Sequence, residues 1–515
     1  MILINAGQHR SNDLGHFQRY VPVTIPFGLG MLACYLEAKG KSVKVIDECV
    51  TPVNEQVIRD SVKGEQTPYV FGISSLTANV RKAYEIARLI KSVYPDSKLM
   101  MGGIHPTVVP EEPLQTGVVD IVVRREGEEA VSTLYDRLYA GLDYTDVPSI
   151  SYMTEDGEVV HNQNGPVIQS LDFAENFPYH HFDQHLDCYN LGFVMSTRGC
   201  PYDCIFCSQR SISGKSYRVM TPQSVVNWVD TLVNKYDQKF VDFWDDNFVV
   251  KKSWTRELCD LMAEEKSFRK AEFGCYTRGE SITDEMLDYM KRAGFSTIGF
   301  GIESASNRLM AMVDKGETVE DNIRGVTMAK KAGFKCGGTF IMGLPTETKE
   351  DRRATYKLAR KLDLDYARFN NATPYPGTQL YELGKKDGGL NLGENWDNLN
   401  AIGALANRSS LPYVPPGTDE SQLRRDIVKA NYFFWLRPKG IKTLLFNGNT
   451  TWFPIPNRWY LSPNEWWHLT KFCFVIAGKF VINVLPTPKE VFNSKNTSKE
   501  KGDDESFDNM VKQTN

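Results

Sequence analysis

The sequence has too few cysteines, too widely spread, for a disulfide framework. Of ten in 515 residues, Cys34, Cys49, Cys188, Cys259, Cys275, Cys336 and Cys473 stand apart and only Cys200, Cys204 and Cys207 lie together. Neither sign of charge is in excess, with 60 Lys and Arg against 64 Asp and Glu, and no long stretch is strongly basic, so no nucleic-acid partner is expected. No clean membrane-spanning run appears. The nearest, within 469–485, is broken by Lys471, Lys479 and Asn483, so a buried helix is expected there, while its basic, aromatic-flanked character would also suit peripheral contact with a bilayer. The opening Met1-Ile2-Leu3-Ile4-Asn5 lacks the basic, apolar and small-residue series of a leader, so a cytoplasmic, unprocessed chain is expected. No period of 20 to 50 residues repeats, which excludes a solenoid. What is left is ordinary globular composition, 41% hydrophobic and 24% charged, long enough for about three domains at roughly 100 to 200 residues each.

Short apolar runs alternate with amphipathic stretches over residues 1–150: MILINA, GLGMLACYLEAKG, SVKVIDE, YVFGISS, VRKAYEIARLIKSVYP, KLMMGG and DIVVRREGEEAVSTLYDRLYAG. This spacing predicts an open parallel sheet with helices on both faces, a Rossmann-like α/β domain whose ligand lies outside the carboxyl ends of its strands. Those ends carry Ser74, Ser75 and Thr77, then Gly102, Gly103 and His105, then Glu126, Gly127 and Glu128. Residues 151–190 read as a connector. A second series, 191–385, has six strand-like runs from FVMSTRG to YARFNNATPYP separated by helical stretches, which predicts a partial (βα)6 barrel with reactive groups at the carboxyl ends of its strands. Residues 386–490, rich in tryptophan, read as a helical capping region that contributes to the substrate site, and 491–515 as a polar, disordered tail.

The segment RGCPYDCIFC sets Cys200, Cys204 and Cys207 at CxxxCxxC spacing directly after the first strand of the second series. Three thiolates on one short loop can take three corners of a cubane iron-sulfur cluster, leaving one iron open to a ligand that is not protein. Zinc would ask for a fourth protein ligand and CxxC pairs, and none is evident nearby; three buried thiols are the remaining reading. With the aromatic Phe206 before its last cysteine, the loop resembles the signature of the radical S-adenosylmethionine (SAM) enzymes. WDDNF with Asp245 and Asp246, CYTRGE with Arg278, GIES with Glu303 and Ser304, FIMGLPTET with Gly343 and Pro345, and TPYPGTQLY resemble that family's later strand ends in order. The resemblance implies a 4Fe-4S cluster on the three cysteines and SAM held by Phe206, Asp245, Asp246, Arg278, Glu303, Ser304, Gly343 and Pro345. Taken alone, Asp246 or Glu303 is also compatible with a solvated surface carboxylate, and Asp246 with a helix N-cap.

The first 150 residues resemble the cobalamin-binding domain that precedes the radical SAM barrel in one branch of that family. The likeness rests on IPFGLGMLACYLEAKGKSVKVID, MGGIHPTVVPEE and VVRREGEEA. It implies cobalamin near Pro26, Gly28, Ser74, Ser75, Thr77, Gly102, Gly103, His105, Gly127 and Glu128. There is no DxHxxG motif, which implies cobalamin without a protein ligand to cobalt, and Arg125 stands where the usual RGEGE has glycine. Together the resemblances imply an enzyme that methylates an unactivated carbon of a small-molecule or lipid-like substrate by way of a 5'-deoxyadenosyl radical and methylcobalamin. An electron donor such as flavodoxin or ferredoxin would serve it. The alternatives are a cyclase or rearrangement enzyme of the same architecture, related to the anaerobic Mg-protoporphyrin monomethyl ester cyclases, and a non-catalytic sensor or electron carrier. No acid or base beyond the cofactor shell is identified. Cys275, Cys336 and Tyr276 are expected to pack in strands.

Overall fold

The computed structural model describes residues 1–7, 23–393, 396, 398–401, 410–440, 442, 449–450 and 453–454. The expectations for the later tryptophans, the stretch 469–485 and the tail lie outside the described residues.

Strand β1 (Ile2–Asn5) shows how pattern becomes architecture, because alternate side chains of a strand face opposite ways. Leu3 joins Leu29, Ala33 and Leu36 of helix α1 (Phe27–Ala38), whereas Ile2 and Ile4 join Ala83, Ile86 and Ile90 of helix α2 (Val80–Val93). Helix α3 (Glu128–Tyr139) covers the Leu3 face with Ala130, Val131 and Leu134. Both faces are therefore apolar, as a parallel sheet between helix layers requires. Strands β2 (Lys44–Asp47), β3 (Val70–Ser74), β4 (Lys98–Gly102) and β5 (Ile121–Val123) pair in parallel in the order β2-β1-β3-β4-β5.

The sheet does not stop at residue 150. Strands β6 (Ile150–Met153) and β7 (Val159–His161), read from the sequence as connector, add to its edge as an antiparallel hairpin on β5. The signal was the pair Asp156-Gly157 between two short runs, a turn dipeptide that favours hairpins. Beyond it, 3-10 turns at Asp172–Asn176 and Tyr179–Cys188 flank Phe177, whose ring lies 5.3 Å from Phe27 and stacks at 5.6 Å on Trp228.

The second unit is a six-stranded parallel sheet in sequence order: β8 (Phe193–Val194), β9 (Phe240–Phe243), β10 (Glu272–Thr277), β11 (Phe295–Glu303), β12 (Lys335–Met342) and β13 (Tyr366–Asn371). Helices α4 (Pro222–Asp230), α5 (Lys252–Glu264), α6 (Asp284–Arg292), α7 (Val319–Lys331) and α8 (Lys349–Lys361) lie between the strands. Their starts are written locally. Thr318 with Asp321 and Thr348 with Asp351 form reciprocal caps that satisfy amide groups the helix itself leaves unbonded. Cys275 and Cys336 are buried in this unit's core, as expected. On the edge strand β13, the Phe369 amide donates to Asn431 Oδ1 at 3.1 Å and its carbonyl accepts from Asn431 Nδ2 at 2.8 Å, so helix α9 (Glu420–Trp435) docks there through hydrogen bonds as well as apolar contact.

Candidate active site at the strand ends of two domains

The carboxyl ends of β1, β3, β4 and β5 open onto a cavity of about 530 Å³. Eight of the ten residues expected at a ligand in this domain line it: Pro26, Gly28, Ser74, Ser75, Gly102, Gly103, Gly127 and Glu128. Thr77 and His105 are not among its lining residues. Thr77 is buried at the start of the helical turn before α2. His105 is fully buried in the short helix Ile104–Val108, where its ring meets Trp396 edge-on at 5.5 Å and lies 3.7 Å from Glu112. It faces away from the cavity because Gly103 turns the chain: with φ at +101° it adopts a conformation that L side chains rarely reach, and an added Cβ would lie 2.6 Å from the Ser75 carbonyl.

The opposite wall comes from the second unit: Met195, Arg198, Gln209, Ile212 and Ser213. Sequence reasoning missed these because no local pattern marks a residue that serves another domain's pocket. Between the walls runs a buried charge network. Arg198 Nη2 lies 2.6 Å from Glu128 Oε1 and its Nη1 3.7 Å from Glu126 Oε2. Arg218 Nη1 donates to Glu126 Oε2 at 2.8 Å and to the Ile168 carbonyl at 2.6 Å, and Ser213 Oγ donates to Glu126 Oε1 at 2.7 Å. Burial alone would raise the Glu126 carboxyl; the bonds from Arg218 and Ser213 outweigh it and hold the group below its ordinary range. Arg125 has φ at +63°, the region where glycine is at home, and its Nε donates across the seam to the Ile212 carbonyl at 3.1 Å. That bond gives the departure from RGEGE a local reason.

Arg198 ends a short strand, and the loop that follows carries Cys200, Cys204 and Cys207. Gly199 begins the loop at φ +88°, where an added Cβ would lie 1.9 Å from the Ser216 carbonyl. Burial raises all three thiols, Cys207 to about 12, although water reaches Cys207. Asp246 combines the same two properties, being solvent-exposed while burial pushes its carboxyl to about 6. That combination fits a recess, where a side chain is crowded by protein on most sides yet still reached by water. Arg278 and Lys315 favour the thiolates of Cys200 and Cys204, but burial outweighs them, so three neighbouring thiols there suit a cluster whose iron stabilises the deprotonated sulfur.

Around this loop the remaining expected residues divide. Phe206 packs with Leu309, Val313, Leu344 and Leu380. Asp245 is buried and already accepts from Ser196 Oγ at 2.6 Å, the Thr197 amide at 2.6 Å and Thr197 Oγ1 at 3.0 Å, so it pins the strand before the cysteines, while Asp246 faces the recess. Arg278 stacks on the Tyr202 ring at 3.6 Å and donates from Nε to Glu280 Oε1 at 2.8 Å; its buried Nη2 has no hydrogen-bond partner. Glu303 ends β11 at φ +58° and accepts from Lys315 Nζ at 2.9 Å. Ser304 does not open to the recess: it is fully buried, its hydroxyl accepts from the Ser306 amide at 3.2 Å and sits 3.4 Å from Thr355 Oγ1. Gly343 and Pro345 are buried in the turn after β12. On the sheet itself, Tyr276 OH and Trp244 Nε1 both donate to Asp242 Oδ2, at 3.1 and 3.2 Å, and Arg368 is exposed between buried Ala367 and Phe369. Tyr276, expected to pack in its strand, therefore also makes a polar contact.

Two fit observations concern the first cavity. Ser75 Oγ lines it, is buried and has no hydrogen-bond partner, which leaves a polar atom for a ligand to satisfy. Gly103 lets the end of β4 run close against the Ser75 backbone at the rim, which holds that hydroxyl in place.

Fold and site together define an enzyme of two α/β domains that share one seam, with a cluster-type cysteine loop beside a large cavity. The Radical SAM superfamily model matches residues 194–359 and the B12 binding domain model residues 19–135. The uncharacterized methyltransferase PH0819 of Pyrococcus horikoshii is 33% identical over 421 residues, covering 80% of this chain and 88% of its own length. The anaerobic magnesium-protoporphyrin IX monomethyl ester cyclase of Rubrivivax gelatinosus is 30% identical over 378 residues, covering 70% of this chain and 66% of its own. In fold, the chain is similar to the cobalamin-dependent SAM radical enzyme OxsB with a TM-score of 0.67 at 18% identity, over 96% of this chain and 74% of that one. The chain belongs to the radical SAM superfamily, in the branch with a B12 binding domain, and its cofactors are a 4Fe-4S cluster, SAM and cobalamin.

Proposed function

We propose that this enzyme methylates an unactivated carbon of a small-molecule substrate, with Cys200, Cys204 and Cys207 holding the cluster and the 530 Å³ cavity holding cobalamin. The observation that carries the reading is the shared wall: the cavity that opens at the strand ends of the first domain is closed by Arg198, Gln209 and Ser213, which bracket the cysteine loop. Bound there, the cofactors supply a hydrogen-abstracting radical and a transferable methyl group; the protein positions them and excludes water.

The chain's own residues divide that labour. Asp246, open at the recess floor, accepts from the ammonium group of SAM, and the unsatisfied Nη2 of Arg278 donates to an oxygen of SAM. Glu303, fixed by Lys315, keeps carboxylate lone pairs for a ribose diol. Ser75 Oγ bonds the cobalamin periphery. No histidine is among the residues that line the cavity.

The test is anaerobic incubation of the cluster- and cobalamin-loaded protein with SAM and a strong reductant. The expected result is 5'-deoxyadenosine together with methylated cobalamin, both lost in Cys204→Ala, and a product about fourteen daltons heavier than substrate. Deoxyadenosine with no methylated cobalamin would favour a cyclase-like reaction. A fully loaded protein that never cleaves SAM with substrate present would refute catalysis.

A further inference from the structure

Away from both recesses, three donor atoms converge at the carboxyl-terminal end of α1. Glu37 Oε1 lies 3.1 Å from His180 Nε2 and 2.8 Å from His181 Nε2, and one ligand atom from each residue falls within 4.8 Å of the others. We propose that Glu37, His180 and His181 bind a divalent transition-metal ion of the zinc class, which clamps the first helix of the B12 binding domain to the connector leading into the radical SAM unit.

Three observations carry the assignment. The first is geometric. Tetrahedral zinc with nitrogen at about 2.0–2.1 Å and carboxylate oxygen at about 2.0–2.2 Å sets neighbouring ligand atoms roughly 3.3–3.5 Å apart; the hydrogen-bonded separations of 3.1 and 2.8 Å would open by only roughly 0.2–0.7 Å to admit the ion. Two imidazoles and a carboxylate are a recurrent zinc donor set that leaves the remaining position to water. The second is electrostatic. Glu37 sits in the last turn of α1, where the helix dipole disfavours an anion, and that turn contains no basic residue. The two imidazoles beside it complete a donor set for a divalent cation, whose charge would balance that carboxylate. The third is placement. Gly30, Cys34 and Glu37 form one stripe of α1 at helical spacing, and the connector lies along it. The Phe177 ring fills the space beside Gly30, where an added Cβ would lie 2.1 Å from it, and Cys34 Sγ donates to the carbonyls of Phe173 at 3.0 Å and Asn176 at 3.3 Å. The metal completes this stripe at the end where His180 is still open to water.

With α1 rising about 1.5 Å per residue, Glu37 lies roughly 7–8 Å along the helix from Leu32, the last α1 residue in the cavity lining, and neither Glu37, His180 nor His181 lines that cavity. The test of the metal site needs no turnover. Full-length, cluster-loaded protein is equilibrated with buffered zinc, zinc and iron are quantified in the same sample, and the zinc coordination shell is read by X-ray absorption. The expected result is about one zinc per chain with nitrogen and oxygen neighbours only, lost in Glu37→Gln and in the double variant His180→Ala/His181→Ala while iron content is unchanged. Zinc should also raise the Tm of the wild type and leave that of the double variant where it was. Wild-type protein that takes up no zinc, sulfur in the zinc shell, or equal zinc in wild type and double variant would overturn the proposal. The wild-type stoichiometry and shell decide the matter even if a variant misfolds.

Discussion

The buried network at the seam makes a quantitative prediction. Arg218→Met removes a guanidinium whose side chain is only 6% exposed and which serves Glu126 with two bonds and the Ile168 carbonyl with a third. Glu126, equally buried, is left with Ser213 Oγ at 2.7 Å and a distant Arg198 at 3.7 Å. Breaking a buried pair by deleting one partner costs about 3–5 kcal/mol, whereas replacing both by apolar residues is often close to neutral. Arg218→Met should therefore destabilise by about 3 kcal/mol or more, and Glu126→Leu/Arg218→Met should be more stable than the sum of the single changes by about 2 kcal/mol. Urea unfolding followed by circular dichroism measures this as a double-mutant cycle, each transition fitted separately because the chain has two domains. The pH dependence adds a sign. Glu126 is held below its ordinary pKa, so its contribution is present above the ordinary carboxylate range and is lost as pH falls through the depressed value. Arg218→Met should flatten that acid limb. Additivity of the two changes within about 0.5 kcal/mol would refute the reasoning.

Two further predictions follow from single residues. Gly103→Ala places a methyl group 2.6 Å from the Ser75 carbonyl at a φ unfavourable to alanine; cobalamin retention on gel filtration should fall at least about tenfold while iron content stays at the wild-type value. Asp245 is raised to about 7 by burial, so the folded state binds its proton more tightly and wild-type stability falls as pH rises between about 4 and 7. Asp245→Asn keeps hydrogen-bonding groups toward Ser196 and Thr197 but carries no charge, and the Tm difference between variant and wild type should move in the variant's favour from pH 5 to pH 8.

Much of the fold was legible because its signals are periodic or local. The buried runs of β1, β3 and β4, the caps at Thr318 and Thr348 and the cysteine spacing can each be read within about ten residues of sequence. The hairpin β6-β7 escaped because its strands are short and sit in a stretch without helical period, although Asp156-Gly157 announced the turn. Site residues divide on the same principle. Glycines and small residues at strand ends, such as Ser75 and Gly103, were expected there because strand ends are where such sheets bind, and they do line the cavity. His105 and Ser304 lie buried beside the loops instead, because a residue next to such a loop can point either way and local backbone geometry or a hydrogen bond from the Ser306 amide decides it. Arg198, Arg218 and Gln209 could not be found at all, since their roles arise from contact with a domain some seventy or more residues distant in sequence.

That contact also bears on how such enzymes can be rebuilt. Glu126 and Glu128 come from one domain and Arg198 and Arg218 from the other, so each half carries two like charges that only the other half neutralises. A chimera that joined this B12 binding domain to a radical SAM unit lacking both arginines would bury two uncompensated carboxylates. The exchangeable unit is therefore larger than the domain: it is the domain together with the strand and loop that present its counter-charges.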